Sequence, residues 1–253
     1  MNIFFSLLRL ATYICLIGWV GTYFMINRLP PPTLIDPALY PEPVQTTVLP
    51  KKFTLLYKDN PVYVVPMADY DITGLVVSHN EPTAWYVFDI SHDKESPDTR
   101  DLCVLWGSNV QNEEYRKISF FSGDYTCNWK WGANTDVSQF SMYKISNNHL
   151  ITDSDEIRTI ISQVNIGDQI HITGKLVNYS EDRWNGAWRR TSLTRTDTGM
   201  GACEIIFVQS ISILHSYNGE WAKLHRLMRN GFAGLLLLRF VLLFTPLGYR
   251  PLS

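Results

Sequence analysis

The fold is decided by residues 153–179, DSDEIRTIISQVNIGDQIHITGKLVNY, where a helical pattern passes directly into a strand pattern. Four apolar residues of its first part share one face at helical spacing: Ile157, Ile160, Ile161 and Val164. Asp153 is the expected N-cap of this helix, with Glu156 at the capping-box position three residues later. These features predict an amphipathic helix whose apolar face is buried against neighbouring strands.

The helix is followed by a predicted strand, Gln169–Tyr179, which begins after a turn at Gly167 and Asp168. Apolar or alternating runs before the helix predict further strands, and a segment after it predicts a closing strand pair. These runs are Val62–Val65, Tyr70–Ser78, Ala84–Ile90, Leu102–Trp106, Lys117–Phe121, Asp124–Trp131 and Ala202–Leu214. Gly74, inside the second run, indicates a bulge or a close approach of two backbones.

The order of these elements resembles an OB-type barrel, in which a helix plugs the barrel between the third and fourth strands. The phrase GDQIHITGKLV, residues 167–177, is similar to the fourth strand of many such barrels. We therefore predict a mainly β fold in which residues 61–216 form an OB-like barrel with one plug helix. An unrelated β-sandwich is the alternative.

Both ends of the chain are apolar. Residues 1–28 are predicted to be a transmembrane anchor, because Ile3–Ile26 holds a single charge, Arg9, and can cross a hydrocarbon layer of about 30 Å. A cleaved signal peptide is the alternative. Residues 217–253 are predicted to form a basic and apolar helix and a second membrane segment, although Arg239 lies within its apolar part. A surface-lying or re-entrant helix and a buried helix of a soluble domain are the alternatives there.

Residues 29–60, between the anchor and the barrel, are predicted to be a proline-rich linker. The first part, Leu29–Pro50, holds seven prolines. This spacing favours an extended polyproline conformation and a semi-rigid spacer. A proline-motif ligand is the functional alternative.

Composition and charge limit the classes of function. The chain is 45% hydrophobic and 18% charged, which allows a packed core and argues against disorder. Three of its 22 basic residues, Arg9, Arg239 and Arg250, lie in or beyond the apolar ends, where no acid occurs. The stretch Asn27–Asn230 therefore carries 19 basic and 24 acidic residues, a net charge of −5. Such a domain has no general attraction for phosphate backbones, so nucleic acid is not an expected partner.

The cysteines and the charges beside the membrane segments leave the compartment open. Cys103 and Cys127 are the candidate disulfide, which would leave Cys203 free, but three buried thiols fit equally well. The predicted localisation is the cell membrane, the inner membrane in a Gram-negative bacterium. Flanking basic residues slightly favour a cytoplasmic domain, although large domains are translocated regardless of such charge.

Two polar phrases contain the candidate site residues. His149, in SNNHLI, is a candidate acid/base, whereas the small polar residues around it are typical of a capped turn. Cys203 is a candidate nucleophile with His149 as its base. The six histidines show no metal-ligand spacing with each other or with cysteine. No metal site and no cofactor is therefore predicted.

The second phrase, RTSLTRTDTGMGACE at residues 190–204, offers Arg195, Asp197 and Glu204 as candidate ligand-binding residues. Two arginines and a G-x-G turn could cradle an anion. The phrase lacks the lysine and the spacing of a phosphate loop. An ordered hairpin, in which its acids pair with Arg190 or Arg195, is the structural alternative.

Three phrases, DLCVLWG, SNNHLI and TSLTRTDTGMGACE, resemble a group of uncharacterised bacterial membrane-anchored proteins. The resemblance covers about Tyr70 to Leu214. It implies a single folded module on a membrane anchor and carries no catalytic residue to this chain.

The expected function is a membrane-tethered, non-enzymatic interaction or ligand-binding module of an envelope-associated assembly. Its expected partners are membrane lipid and other membrane or envelope proteins. The alternative is a membrane-bound hydrolase or anion-binding enzyme that uses His149 and the Arg195–Glu204 loop. An enzyme requires His149, Arg195, Asp197 and Cys203 to converge in one water-accessible pocket. Binding of nucleic acid by an OB barrel requires a basic groove with exposed aromatic rings.

Overall fold

The computed structural model describes residues 2–57, 60–80, 97–123, 125–182, 185–197 and 203–244. The chain divides into two compact units. One consists of Met1–Arg28 and Asn218–Ser253, and the other of Leu29–Tyr217. The predicted strand Ala84–Ile90 lies outside the described residues.

The Leu29–Tyr217 unit is mostly β, with a mixed seven-stranded sheet and a separate two-stranded hairpin in the described residues. The strands are β1 Val44–Thr47, β2 Phe53–Tyr57, β3 Asn60–Asn80, β4 Asp98–Leu105, β5 Ser119–Gly123, β6 Thr126–Lys130, β7 Ile145–Ile151, β8 Gln169–Glu181 and β9 Glu204–His215. The four helices of the described chain are α1 Asn2–Ile26, α2 Ser108–Gln111, α3 Asp155–Gln163 and α4 Gly219–Leu243.

Five strands of the sheet each pair with two others of the five. β3 pairs antiparallel with β4, and β4 pairs antiparallel with β7. β7 pairs parallel with β9, β9 antiparallel with β8, and β8 antiparallel with β3. β1 and β2 are additional antiparallel partners of β3. The helix α3 connects β7 to β8.

β3 is one strand of 21 residues, where the sequence predicted two shorter strands. Its register with β8 shifts between Pro66 and Ala68. Such a bulge bends a strand without ending it, so the segment between the two predicted runs remains in the sheet. Gly74 confirms the predicted close approach, because a Cβ there would collide with the Val104 side chain and the Leu105 carbonyl.

Residues 29–60 differ from the predicted spacer. Short 3-10 helices form at Pro32–Leu34 and Pro37–Leu39, and β1 and β2 pair with β3. Leu39 is fully buried with Ile35 in a cluster against β3 and β4. Prolines that permit turns and edge positions therefore accompany apolar side chains that pack onto the domain.

α3 begins one residue later than predicted, because Ser154 rather than Asp153 is its N-cap and accepts a hydrogen bond from the Ile157 amide at 3.3 Å. Ile161 and Val164 are fully buried in the main core, as predicted. The remaining two residues of the apolar face, Ile157 and Ile160, are only partly buried and pack against that core.

A buried arginine closes the C-terminal end of α3. Arg100 donates from Nη1 to the carbonyls of Ile161 and Val164, at 3.1 and 2.5 Å. The Ile161 carbonyl also accepts from the Val164 amide at 3.2 Å, and a cation is favoured at a helix C-terminus. Arg100 therefore fixes α3 to β4.

Two segments have a different structure from the one that the sequence predicted. SNNHLI, predicted as a capped turn, is most of β7, and its polar side chains are buried. Its Asn148 Nδ2 donates to the Leu102 carbonyl at 3.1 Å. The predicted strand pair around Gln209 is the single strand β9.

α1 and α4 pack antiparallel in the other unit. Later residues of α1 contact earlier residues of α4. The pairs are Cys15 with Gly231, Gly18 with Met228, and Thr22 with His225. Gly18 and Gly231 allow this approach, since a Cβ at either would lie 2.7 or 3.1 Å from the partner side chain. Small residues at such contacts are typical of helix pairs in membranes.

Among the described residues, one helix is long and apolar enough to cross a membrane. It covers Ile3–Ile26 and has a mean hydropathy of 1.9. A signal sequence meets the same criterion. The sequence also predicts a break in the second apolar segment at Pro246, because proline interrupts a helix. This residue lies outside the described residues.

Candidate functional site

The predicted site residues lie in two separate groups on opposite sides of the sheet. Leu150 and Ile206 belong to the main core. Because side chains alternate along a strand, His149 on β7 and Cys203 before β9 point away from that core. Glu204 follows Cys203 and points to the other side. His149, Arg195, Asp197 and Cys203 therefore do not converge in one place, as the enzymatic alternative requires.

The first group, the His149 group, consists of Asp98, Asp101, His149, Arg189 and Cys203. Asp101 and His149 are directly opposite each other on β4 and β7. The Oδ1 atom of Asp101 lies 2.5 Å from Nδ1 of His149. Arg189 places Nη1 at 2.6 Å from Asp98 and Nη2 at 3.0 Å from His149 Nε2. Two carboxylates thus face two cationic side chains.

Cys203 adjoins this network. Its thiol donates a hydrogen bond to the Tyr125 carbonyl at 3.5 Å. Nδ2 of Asn147 donates to the same sulfur at 3.7 Å. The Cys203 sulfur therefore has hydrogen-bond partners on β7 and in the turn at Tyr125.

Burial shapes the electrostatics of the His149 group. Asp98, Asp101 and His149 are each at most 2% exposed. Burial lowers the pKa of His149, but the charge and hydrogen bond of Asp101 outweigh it and raise the pKa to about 9. Burial raises the pKa of Asp98 against the opposing effect of Arg189. His149 is therefore charged near neutral pH and balances Asp101.

This shift predicts a stability that falls at alkaline pH. The pKa of His149 rises from 6.5 unfolded to about 9 folded. Its contribution is complete below about 6.5 and is lost as the pH rises through 9. We expect the thermal midpoint of the detergent-solubilised protein to fall over this pH range. In His149→Gln the thermal midpoint should fall less. The exposed His171→Gln is the matched control, and an identical decline in His149→Gln would contradict the assignment.

The second group, the Arg195 group, consists of Tyr70, Trp106, Arg195 and Glu204. Arg195 pairs with Glu204 through Nη1 and donates from Nη2 to the Tyr70 hydroxyl at 2.6 Å. Its guanidinium lies 5.0 Å from the Trp106 ring. Burial raises the pKa of Glu204 to about 7, although Arg195 lowers it. Arg195 is thereby held by an acid, a hydroxyl and a ring.

Asp197 does not join the Arg195 group. Its carboxylate accepts from the Ser192 hydroxyl at 2.7 Å, and the same hydroxyl approaches the Thr194 carbonyl and amide. Asp197 therefore belongs to a local turn held by side-chain hydrogen bonds, whereas the structural alternative paired it with Arg190 or Arg195. The phrase TGMGA, residues 198–202, lies outside the described residues.

Arg195→Ala should lower stability, because it leaves Glu204 buried without its cation. Loss of a hydrogen bond to a charged group should reduce the free energy of unfolding by about 1.5–3 kcal/mol. Protonation of Glu204 limits this loss, because it removes the buried charge. Thermal unfolding of the full chain in detergent measures the effect, and Arg158→Ala on α3 is the control. Unchanged stability together with loss of anion binding would support the cradle instead.

Cys103 and Cys127 are joined by a disulfide that ties β4 to β6, with Cα atoms 5.5 Å apart. The free cysteines are Cys15 and Cys203, both half-buried. Within the described ranges, no three His, Cys, Asp or Glu side chains are placed to hold a metal ion. A shallow cavity of about 480 Å³ is lined by α4 residues, including Arg239, and by neither group.

Sequence reasoning did not identify Asp98, Asp101 or Arg189. The two acids belong to the polar run 91–101, which reads as a solvated loop, although the end of that run is strand β4. Arg189 precedes the second polar phrase by one residue. The available signal was two acids three residues apart at the start of an apolar strand.

Comparison of the chain with protein-family models, with curated proteins and with solved structures finds no match.

Proposed function

We propose that the chain is a membrane-tethered, non-enzymatic interaction module that docks another membrane or envelope protein. The observation that carries the proposal is a group of four exposed apolar side chains on the hairpin β5–β6 and the segment after it. Phe121 and Trp131 are each 48% exposed, Met142 59% and Tyr143 54%. We name these four residues the aromatic surface. Exposed apolar patches of this kind mark interaction sites.

The aromatic surface belongs to one local structure. Behind it, the Phe140 ring lies 6.4 Å from Phe120 on β5 and 5.9 Å from Trp129 on β6. The segment 131–144 therefore folds back onto the hairpin. Lys130 sits 5.9 Å from the Phe121 ring and supplies a polar edge, as protein interfaces have at their rims.

We also infer an OB-like barrel, which supports the same proposal. The five doubly paired strands β3, β4, β7, β8 and β9, with α3 between β7 and β8, follow the OB order. OB barrels bind oligonucleotides on their second and third strands, which would be β4 and β7 here. On the outer side of those strands, Cys103 and Leu105 are buried against the hairpin. A covered face and a net charge of −5 favour a protein partner over nucleic acid.

The enzymatic alternative would need His149 to act with the Arg195–Glu204 loop. His149 is engaged by Asp101 and Arg189, whereas Arg195 is engaged by Glu204 and Tyr70. The pairing of these side chains within two groups on opposite sides of β9 favours a structural role for them. This separation supports the interaction module.

The test compares proteins cross-linked to the detergent-solubilised full chain after nuclease treatment. Phe121→Ser with Trp131→Ser should lose the partner recovered by the unchanged chain. Leu49→Ser with Leu56→Ser is the matched control, since these residues are 92% and 76% exposed elsewhere in the domain. Recovery of the same proteins by both variants would contradict the docking surface.

We propose that α1 is retained as a membrane anchor rather than cleaved as a signal sequence. Its packing on α4 through Gly18 supports retention. The disulfide favours an oxidising compartment for the domain, against the slight preference from flanking charge. Because large domains cross membranes regardless of such charge, we place the domain on the outer side.

The topology predicts that both termini lie on one side of the membrane and the domain on the other. In a chain lacking Cys15 and Cys203, we introduce single cysteines at Ser138, in the domain, or Ser253. A membrane-impermeant maleimide should label Ser138→Cys in intact cells and Ser253→Cys only after permeabilisation. Labelling of both in intact cells would show that α4 does not span. Labelling of Ser253→Cys alone would place the domain inside.

A further inference from the structure

A histidine joins the two helices of the α1–α4 unit through side-chain hydrogen bonds. The indole Nε1 of Trp19 on α1 donates to Nε2 of His225 on α4 at 3.2 Å. The other ring nitrogen of His225, Nδ1, lies 3.0 Å from the hydroxyl oxygen of Thr22 on α1. One imidazole of α4 therefore uses both of its nitrogens to hold the same face of α1. We name these two hydrogen bonds the His225 contact.

The partners of the ring fix its protonation state. An indole N–H can only donate, so Nε2 of His225 accepts and carries no proton. The proton of a neutral imidazole is then on Nδ1. The Thr22 hydroxyl donates to the backbone carbonyls of Gly18 and Trp19, at 2.7 and 3.0 Å, and its oxygen accepts from Nδ1. The His225 contact therefore requires the neutral ring with its proton on Nδ1.

Packing between the helices holds the Trp19 indole in this place. Its ring centroid lies 6.4 Å from that of His225 and 5.8 Å from that of Phe232, about two turns further along α4. Beside it, a Cβ at Gly18 would lie 2.7 Å from the Met228 sulfur, so the two backbones approach closely. Turning the indole N–H away from His225 would therefore cost these contacts.

The charged groups near His225 are cationic. Arg226 and Arg229 on α4 act on the ring through their charges, whereas α1 faces it with uncharged side chains. α1 contains no acidic residue, and the single acid of α4, Glu220, is paired with Lys223 at 2.6 Å. A proton added to the ring would therefore be opposed by like charges and balanced by no carboxylate of either helix.

We propose that the His225 contact is a proton-sensitive link between α1 and α4, closed at neutral pH and open in acid. When Nε2 takes up a proton, two N–H groups face each other at Trp19, and that hydrogen bond is lost. The added charge lies beside Arg226 and Arg229, which repel it. α1 then separates from α4 at this level. The link depends on the helix pair alone, whether or not α1 spans a membrane.

The reactivity of Cys15 measures the opening of the pair, because its sulfur would lie 3.1 Å from a Cβ at Gly231 of α4. In the full chain in detergent, Cys203→Ser leaves Cys15 as the free thiol. Its rate of reaction with dithiodipyridine, which modifies thiols in acid as well as at neutral pH, is divided by the rate in His225→Gln, whose amide takes up no proton. This ratio should rise about tenfold between about pH 7.5 and about pH 4.5, because opening no longer breaks the hydrogen bond. A ratio that stays constant would overturn the proposal.

Two variants separate a proton-sensitive link from a merely structural contact. Trp19→Phe keeps a ring in place but removes the indole N–H, so the same ratio should change less with pH. Trp221→Phe, which removes a tryptophan of α4 that is 40% exposed, is the matched control and should behave as its parent. The full pH dependence in Trp19→Phe would contradict the role of Nε2 as an acceptor.

The tautomer and the helix pair are each measured directly. Nitrogen NMR of the chain labelled at histidine should show a proton on Nδ1 of His225 at neutral pH, with the signal identified by its loss in His225→Gln. Oxidation of the Gly231→Cys chain should join the new side chain to Cys15, since 3.1 Å is close to the distance from a sulfur to the far Cβ in a disulfide. A proton on Nε2 at neutral pH, or failure of this disulfide to form, would overturn the proposal.

Discussion

Arg189→Met should reduce the free energy of unfolding by about 3–5 kcal/mol, because it leaves a buried carboxylate without its cation. Asp98 is 2% exposed, and Arg189 Nη1 lies 2.6 Å from it. Arg189 also reaches His149 and lies under the Tyr125 ring. One substitution therefore disturbs β4, β7 and the hairpin together.

Urea unfolding of the full chain in detergent measures this loss. Arg116→Met is the matched control, because its pair with Glu113 is exposed by 53% and 46% and should contribute less than about 1 kcal/mol. Adding Asp98→Asn to Arg189→Met removes the uncompensated charge and should restore part of the stability. Equal effects of Arg189→Met and Arg116→Met would show that the His149 group does not stabilise the fold.

The local signals of the sequence were sufficient for α3 and β8. The apolar spacing around Ile161, the Gly167 turn and the alternation after Gln169 each act within a few residues. β7 was missed because Ser146, Asn147 and Asn148 are typical of turns. In the sheet the side-chain amides of Asn147 and Asn148 donate to distant carbonyls, those of Tyr125 and Leu102. No local pattern contains that information.

The candidate site was predictable to a similar extent. His149, Cys203, Arg195 and Glu204 were identified from residue type, and two of the pairs, Cys203 with His149 and Arg195 with Glu204, are adjacent in the structure. Their separation into two groups depends on the alternation of side chains at Cys203 and Glu204. The sequence could not place that alternation, since the boundary of β9 follows from its parallel pairing with β7. Arg189 reaches the group through another long-range pairing, an antiparallel bridge with Tyr179 on β8.

Ile161→Ala should reduce the free energy of unfolding by about 2–5 kcal/mol, as large-to-small changes in a core do. Ile161 is fully buried in the main core, on the face of α3 that packs on the sheet. The loss has two parts, the transfer of apolar surface and the cavity that remains. α3 cannot move inward to fill that cavity freely, because Arg100 holds the Ile161 and Val164 carbonyls. We therefore expect a value in the upper half of the range.

Two comparisons make the measurement specific. Ile157→Ala changes the same type of residue on the same helix, but Ile157 is only partly buried and should cost less. Val44→Ala on the edge strand β1, where the side chain is 63% exposed, should cost less than about 0.5 kcal/mol. The loss of stability should therefore decrease in the order Ile161, Ile157, Val44, which is the order of their burial. An Ile161→Ala chain that unfolds at the same urea concentration as Val44→Ala would exclude α3 from the core and with it the plug of the proposed barrel.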